Sequence, residues 1–160
     1  MRKQFIAWLF EKTSIIYTTY FKKQKPWSIT KQELLEFNEG SLGKGLGEFL
    51  KSNGFNLLPK VERHDAYHVI TGISTKVEDE IALQCLLFGN GKRSIYLLGS
   101  IILGLTLLPE HMKYYYKCYY IGRCANTFYN YDFQQLLQVS LTEFRVVIFS
   151  KNRLTQLNIT

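Results

Sequence analysis

Apolar residues recur along the chain with helical periodicity, and strand-like alternation is scarce. The pattern predicts a short helix over 31–37. Ser41 is suited to N-cap a helix running to about Asn53, with Gly54 as its stop. Pro59 opens a segment through Ile70, closed by Thr71-Gly72. Thr75-x-x-Glu78 matches a capping box, so the next helix should run over 76–88 until Gly89-Asn90-Gly91 breaks it. Ser94 to Leu108 carries no charge over fifteen residues. At about 1.5 Å per residue it reaches roughly 22 Å, short of the ~30 Å hydrocarbon thickness. That length suits a buried or membrane-facing helix, not a span. Pro109 ends it, a tyrosine-rich helix follows over 110–126, and a last helix is expected over 131–148. The expectation is an all-α fold: a single compact domain over 1–160, with an N-terminal segment 1–32, a helical core 33–149 and a polar tail 150–160.

Composition narrows the class. The 160 residues are 46% hydrophobic and 21% charged, which fits one packed core and neither a disordered tail nor a polytopic membrane protein. Cys85, Cys118 and Cys124 show no C-x-x-C spacing, so neither a disulfide framework nor a zinc ribbon is supported, and a reducing compartment fits. The net charge of +7 is uneven: residues 1–32 hold seven cations against one anion, and the remainder is close to neutral. The basic segment also carries Phe5, Ile6, Trp8, Leu9, Phe10, Ile15, Ile16, Tyr17, Tyr20 and Phe21, an apolar load that a nucleic-acid-binding arm does not need. Two readings stay open, an interfacial helix on an anionic bilayer and an amphipathic helix docked on the protein's own core. Glu11 and Lys12 end the apolar run from Phe5 after six residues, too short for a secretory signal, and the scarcity of Arg argues against a mitochondrial transit peptide.

Chemistry concentrates at His64, Asp65 and His68. At i, i+1 and i+4 of a helix their side chains fall near 0°, about 100° and about 40°, within one arc that can face an ion. Glu80 follows after eleven further residues and a Thr71-Gly72 turn, in the second turn of the next helix. A short connection between antiparallel helices would then offer two imidazoles and two carboxylates to one metal. Asp79 is an alternative to Glu80, and Glu78 reads as the capping-box partner. Gly40, Gly43, Gly45 and Gly47 fail the P-loop pattern, although the N–H groups of residues 41–44 could receive an anion if the glycines do not simply permit close helix packing. Tyr114, Tyr115, Tyr116, Tyr119 and Tyr120 cover every side of their helix. Cys85 and Cys124 read as small core residues, and His111 as structural.

The segment His64-Asp65-Ala66-Tyr67-His68, eleven residues and Glu80 resembles the HDxxH-x11-E motif of the coenzyme Q biosynthesis protein 4 family. The wording HVITG and EIALQ around it, Glu39-Gly40-Ser41-Leu42-Gly43 with Phe49-Leu50 upstream, and Gly122-x-x-Ala125 and Leu141-x-Glu143-x-Arg145 downstream resemble the same family. The resemblance implies an all-helical protein, peripheral on membranes, acting on polyprenylated benzoquinone precursors. It implies His64, Asp65, His68 and Glu80 as metal and catalytic residues for a divalent ion, zinc by resemblance, with iron, cobalt and manganese open. The implied reaction is oxidative decarboxylation, in which a hydroxyl replaces the C1 carboxylate of a polyprenylated benzoic acid precursor. The alternative is a non-catalytic prenyl-lipid-binding scaffold that organises quinone-biosynthesis enzymes. Expected partners are the prenylated precursor or another isoprenoid lipid, a membrane surface and other quinone-biosynthesis proteins, with a homodimer open and no nucleic acid. The expected location is cytoplasmic, peripheral on the inner face of the cell membrane. An apolar cavity walled partly by 94–108, with Gly99 and Gly104 leaving room, would take the lipid tail.

Overall fold

The computed structural model describes residues 1–9, 25–149, 155 and 157. The aromatic and basic positions between Phe10 and Lys23, and most of the polar tail 150–160, lie outside the described residues. The expected all-α architecture is present. In chain order the helices are α1 (residues 2–9), α2 (Lys31–Leu35), α3 (Leu42–Ser52), α4 (Glu62–Thr71), α5 (Val77–Gly89), α6 (Ile95–Leu107), α7 (Met112–Cys124) and α8 (Leu141–Ile148), with 3-10 turns at Pro109–His111 and Phe133–Leu136. No strand occurs among the described residues, which hold one isolated bridge, Ser41 to Ser140. The helices gather into two units, one from residues 1–9 and 73–130, the other from 25–72 and 131–149.

In the second of these units α3 begins where expected, since the Ser41 hydroxyl accepts from Lys44 N. Leu42, Leu46 and Leu50 are buried on one face. Gly47 lets α3 approach the backbone of Leu34 and Leu35, where a Cβ would come within 2.9 Å of Leu35 N. The anion option at this helix start is overturned by the chain itself: Leu42 N donates to Val139 O at 2.9 Å and Gly43 N to Leu137 O at 2.8 Å. The helix expected over 131–148 is two pieces. Ser140 accepts from Glu143 N and starts α8 afresh, after a 3-10 turn that buries Phe133.

The other unit is built on α5 and α7. Their backbones touch at glycine: a Cβ on Gly122 would strike the Leu86 carbonyl, and one on Gly89 would strike that of Tyr119. Buried Asn90 then ties the end of α5 to the end of α7 and the segment after it, donating to Gly122 O and Asn126 O and accepting from Phe128 N and Tyr129 N. Burial pushes the Cys85 and Cys118 thiols up to about 12, so both behave as packing groups. Cys124 is exposed, contrary to expectation, because it ends α7 at the surface. The tyrosines divide as their spacing requires, Tyr115 inside and Tyr116 and Tyr120 outside.

Helix α6 is one-sided. Leu97, Ser100 and Gly104 face inward, Gly104 against Ile81, while Ile95, Leu98, Ile102 and Leu105 form an exposed apolar stripe. A Cβ on Gly99 would meet nothing within 4 Å among the described residues, so Gly99 faces open space and serves no close helix packing there. No single described helix is long and apolar enough to cross a membrane.

Helix α1 joins this unit through fully buried Ile6. Arg2 donates to Leu107 O at 3.0 Å, capping α6, and pairs with Glu110 at 3.0 Å. Lys3 pairs with Glu78 at 2.9 Å. That pair replaces the expected capping box: α5 starts one residue later, with Lys76 as its N-cap and no side-chain cap bond, so Thr75 is out of register. Phe5 and Trp8 stack and stay exposed. The described part of the basic segment thus packs on the protein through Ile6 and presents aromatics outward.

The Lys3 hydrogen bond holds the Glu78 carboxyl below its ordinary value of 4.5. A carboxyl depressed in the folded state contributes stability above its unfolded pKa, and that contribution is lost as pH falls through the folded value. Docking of α1 is therefore expected to weaken below about pH 4.5. Trp8 fluorescence in a Trp27→Phe background should report this, and the step should shrink in Glu78→Gln to the part that the Arg2–Glu110 pair contributes.

Candidate metal centre

Helix α4 places the two histidines. It ends at Gly72, whose φ of 66° is the left-handed turn that glycine adopts without strain, and Gly72 N donates to His68 O at 2.8 Å. Glu62 and Asp65 lie in its first turn and complement the positive end of the dipole. Buried Glu62 also accepts from Trp27 N at 3.0 Å. At the other end, Arg145 of α8 donates to Ile70 O at 3.1 Å and Val69 O at 2.7 Å, satisfying last-turn carbonyls. Tyr67 packs edge-on against Phe133. These contacts hold α4 at both ends and along its inner face.

On this frame His64 and His68, one turn apart, bring their Nε2 atoms to 3.2 Å. Their rings stand at 85° to each other. His68 is buried and stacked on Phe49 of α3, with ring centroids 5.5 Å apart and planes 12° apart. Two imidazole nitrogens bound to one tetrahedral ion at about 2.0–2.1 Å would lie about 3.3 Å apart. The pair fits that spacing, and the same separation suits a single shared proton. Asp65 is 9% exposed and on the same helix. Phe49 was noted in the sequence as part of a motif; its stacking on His68 depends on α3 lying against α4 and has no local signal.

Glu80 sits half-buried in the first turn of α5, a turn earlier than expected. Its acidic neighbours have defined partners. Glu78 is paired with Lys3. Asp79 accepts from Ser74 Oγ on one oxygen and from Tyr114 OH at 2.9 Å on the other. Asp79, the alternative ligand, is thus committed to two hydroxyls. His111 lies on the 3-10 turn beside Tyr115, its ring centroid 6.1 Å away.

Among the described residues the fold is all-helical, and one short helix presents a histidine pair whose Nε2 atoms lie at the spacing of two ligands of one ion. The family model for Coenzyme Q (ubiquinone) biosynthesis protein Coq4 matches residues 57–149, more than half of the chain, and the protein belongs to that family. The mitochondrial ubiquinone biosynthesis proteins COQ4 of Meyerozyma guilliermondii and Debaryomyces hansenii are each 33% identical over 89 residues, which cover 52% of this chain and 28% of either relative. The chain thus matches little more than a quarter of the length of these relatives. A crystal structure of a proposed ubiquinone biosynthesis protein from Nostoc punctiforme shares the fold, with a TM-score of 0.63 at 19% identity, covering 94% of this chain and 82% of that one.

Proposed function

We propose that His64, His68 and Glu80 hold one divalent metal ion, with buried Asp65 balancing its charge, and that this centre serves a step of ubiquinone biosynthesis. The observation that carries the reading is the 3.2 Å separation of the two Nε2 atoms on a helix that the family model covers. Two imidazoles and a carboxylate suit zinc and also suit a redox-active ion such as iron, which oxidative chemistry favours. The step is oxidative decarboxylation of a polyprenylated benzoic acid: the bond from C1 to the carboxylate breaks with loss of carbon dioxide, a hydroxyl takes its place, and an oxygen-donating two-electron oxidant such as dioxygen is the co-reactant. When bound, the ion would supply a Lewis-acidic or redox centre for the aromatic acid. The chain's own work is to orient His68 by Phe49 and to hold α4 by Arg145. The apolar stripe of α6 and the outward Phe5 and Trp8 support a peripheral position on the membrane that contains the prenyl lipid, where partner enzymes of the pathway also act.

That same stripe favours a second reading, a non-catalytic scaffold that binds prenyl lipid. Complementation separates the two. In cells lacking the native gene, His64→Ala is expected to abolish quinone production while the protein still accumulates. Full restoration by the metal-free variant would defeat the catalytic reading in favour of the scaffold.

A further inference from the structure

The first turn of α5 carries Glu78, Asp79 and Glu80 in succession. Asp79 is gripped from both sides, by Ser74 Oγ from the connection before the helix and by Tyr114 OH from α7, 35 residues along the chain. With both carboxylate oxygens taken, the side chain of Asp79 has one orientation, and the backbone that it shares with Glu80 is tied to α7. Glu80 N donates to Lys76 O at 2.8 Å, which closes the first turn of the helix beside Asp79. Burial raises the Tyr114 phenol above its ordinary value, so it remains a hydrogen-bond donor across the physiological range.

We infer that Tyr114 is a positioning residue: its hydrogen bond to Asp79 fixes the first turn of α5 and so sets the direction in which Glu80 presents its carboxylate to the metal. This inference rests on Glu80 being a ligand, as proposed above. Groups that orient metal ligands from outside typically change affinity by about 10–100-fold without touching the ion. Tyr114→Phe removes the hydroxyl and keeps the ring, which isolates that effect from packing.

The test titrates the full chain with Co²⁺ against a competing chelator, for the unmodified protein, Tyr114→Phe, Glu80→Gln and the double variant. Tyr114→Phe is expected to weaken Co²⁺ binding about 10-fold and to shift the visible absorption of the bound ion. The double variant should bind no more weakly than Glu80→Gln alone, because two residues acting through one ligand are not additive. If Tyr114→Phe binds Co²⁺ as the unmodified chain does while Glu80→Gln is weakened, the inference fails and the metal reading stands. Equal additive loss in both backgrounds would mark a general structural effect and would also overturn it. Should Glu80→Gln itself bind normally, the choice of Glu80 falls and the inference falls with it. If Tyr114→Phe does not fold, Ser74→Ala releases the other Asp79 oxygen and is read against the same outcomes.

Discussion

Replacing His68 by Ala is expected to weaken divalent-metal binding by more than about 100-fold, since loss of an outer-shell partner alone costs about 10–100-fold and this change removes a donor. His68 is the buried member of the pair, with Nε2 3.2 Å from that of His64 and its ring held on Phe49. Helix α4 carries no third imidazole that could replace it, and the Thr71 hydroxyl already donates to Tyr67 O at 2.8 Å. Calorimetric titration with Zn²⁺ checks the loss. His111→Ala is the control, because His111 lies on the 3-10 turn with Tyr115, and it should retain the affinity of the unmodified chain. Equal affinity in His68→Ala and the unmodified protein would remove the histidine pair from the site.

The largest effect on folding is expected from Gly122→Ala. A Cβ there would be driven into the Leu86 carbonyl, and backbone, unlike a flexible side chain, cannot swing aside. Helices α5 and α7 would have to part along buried surface that includes Leu86, Cys118 and Ile121. Gly122 O is also held by Asn90, whose other bonds tie down Phe128 and Tyr129. Overpacking usually costs about 1–3 kcal/mol, and a backbone contact at a shared hydrogen-bond hub should reach the top of that range, about 3 kcal/mol. Gly99→Ala is the opposite case. Its Cβ enters open space inside a helix, where Ala is favoured over Gly by about 0.5–1 kcal/mol. Urea unfolding of both variants should move the midpoint in opposite directions.

What could be read in advance was what is set locally. Ser41 caps its helix because a hydroxyl needs only the N–H three residues on, and Gly72 stops α4 because its left-handed φ depends on its own missing Cβ. The His64 and His68 pairing was legible for the same reason, since one helical turn brings i and i+4 together. Misreadings came from competition across the chain. Thr75 matched a capping box, yet Lys3 of α1 took Glu78, and the helix began a residue later. The free N–H groups expected at the start of α3 were claimed by Val139 and Leu137 carbonyls nearly a hundred residues away. The tie between Tyr114 and Asp79, the stacking of Phe49 on His68 and the docking of Ile6 depend on which helices meet, and no periodicity within one helix encodes that.

The most direct test of the central claim is metal content joined to ligand identity. The full chain, purified without chelator, is measured by elemental analysis and by X-ray absorption at the edge of whichever metal it carries. One divalent ion per chain is predicted, with two imidazole nitrogens at about 2.0–2.1 Å if the ion is zinc, and that ion should be absent when His64 and His68 are both replaced by Ala. A chain without stoichiometric metal, or a doubly substituted chain that keeps its full complement, would contradict the account.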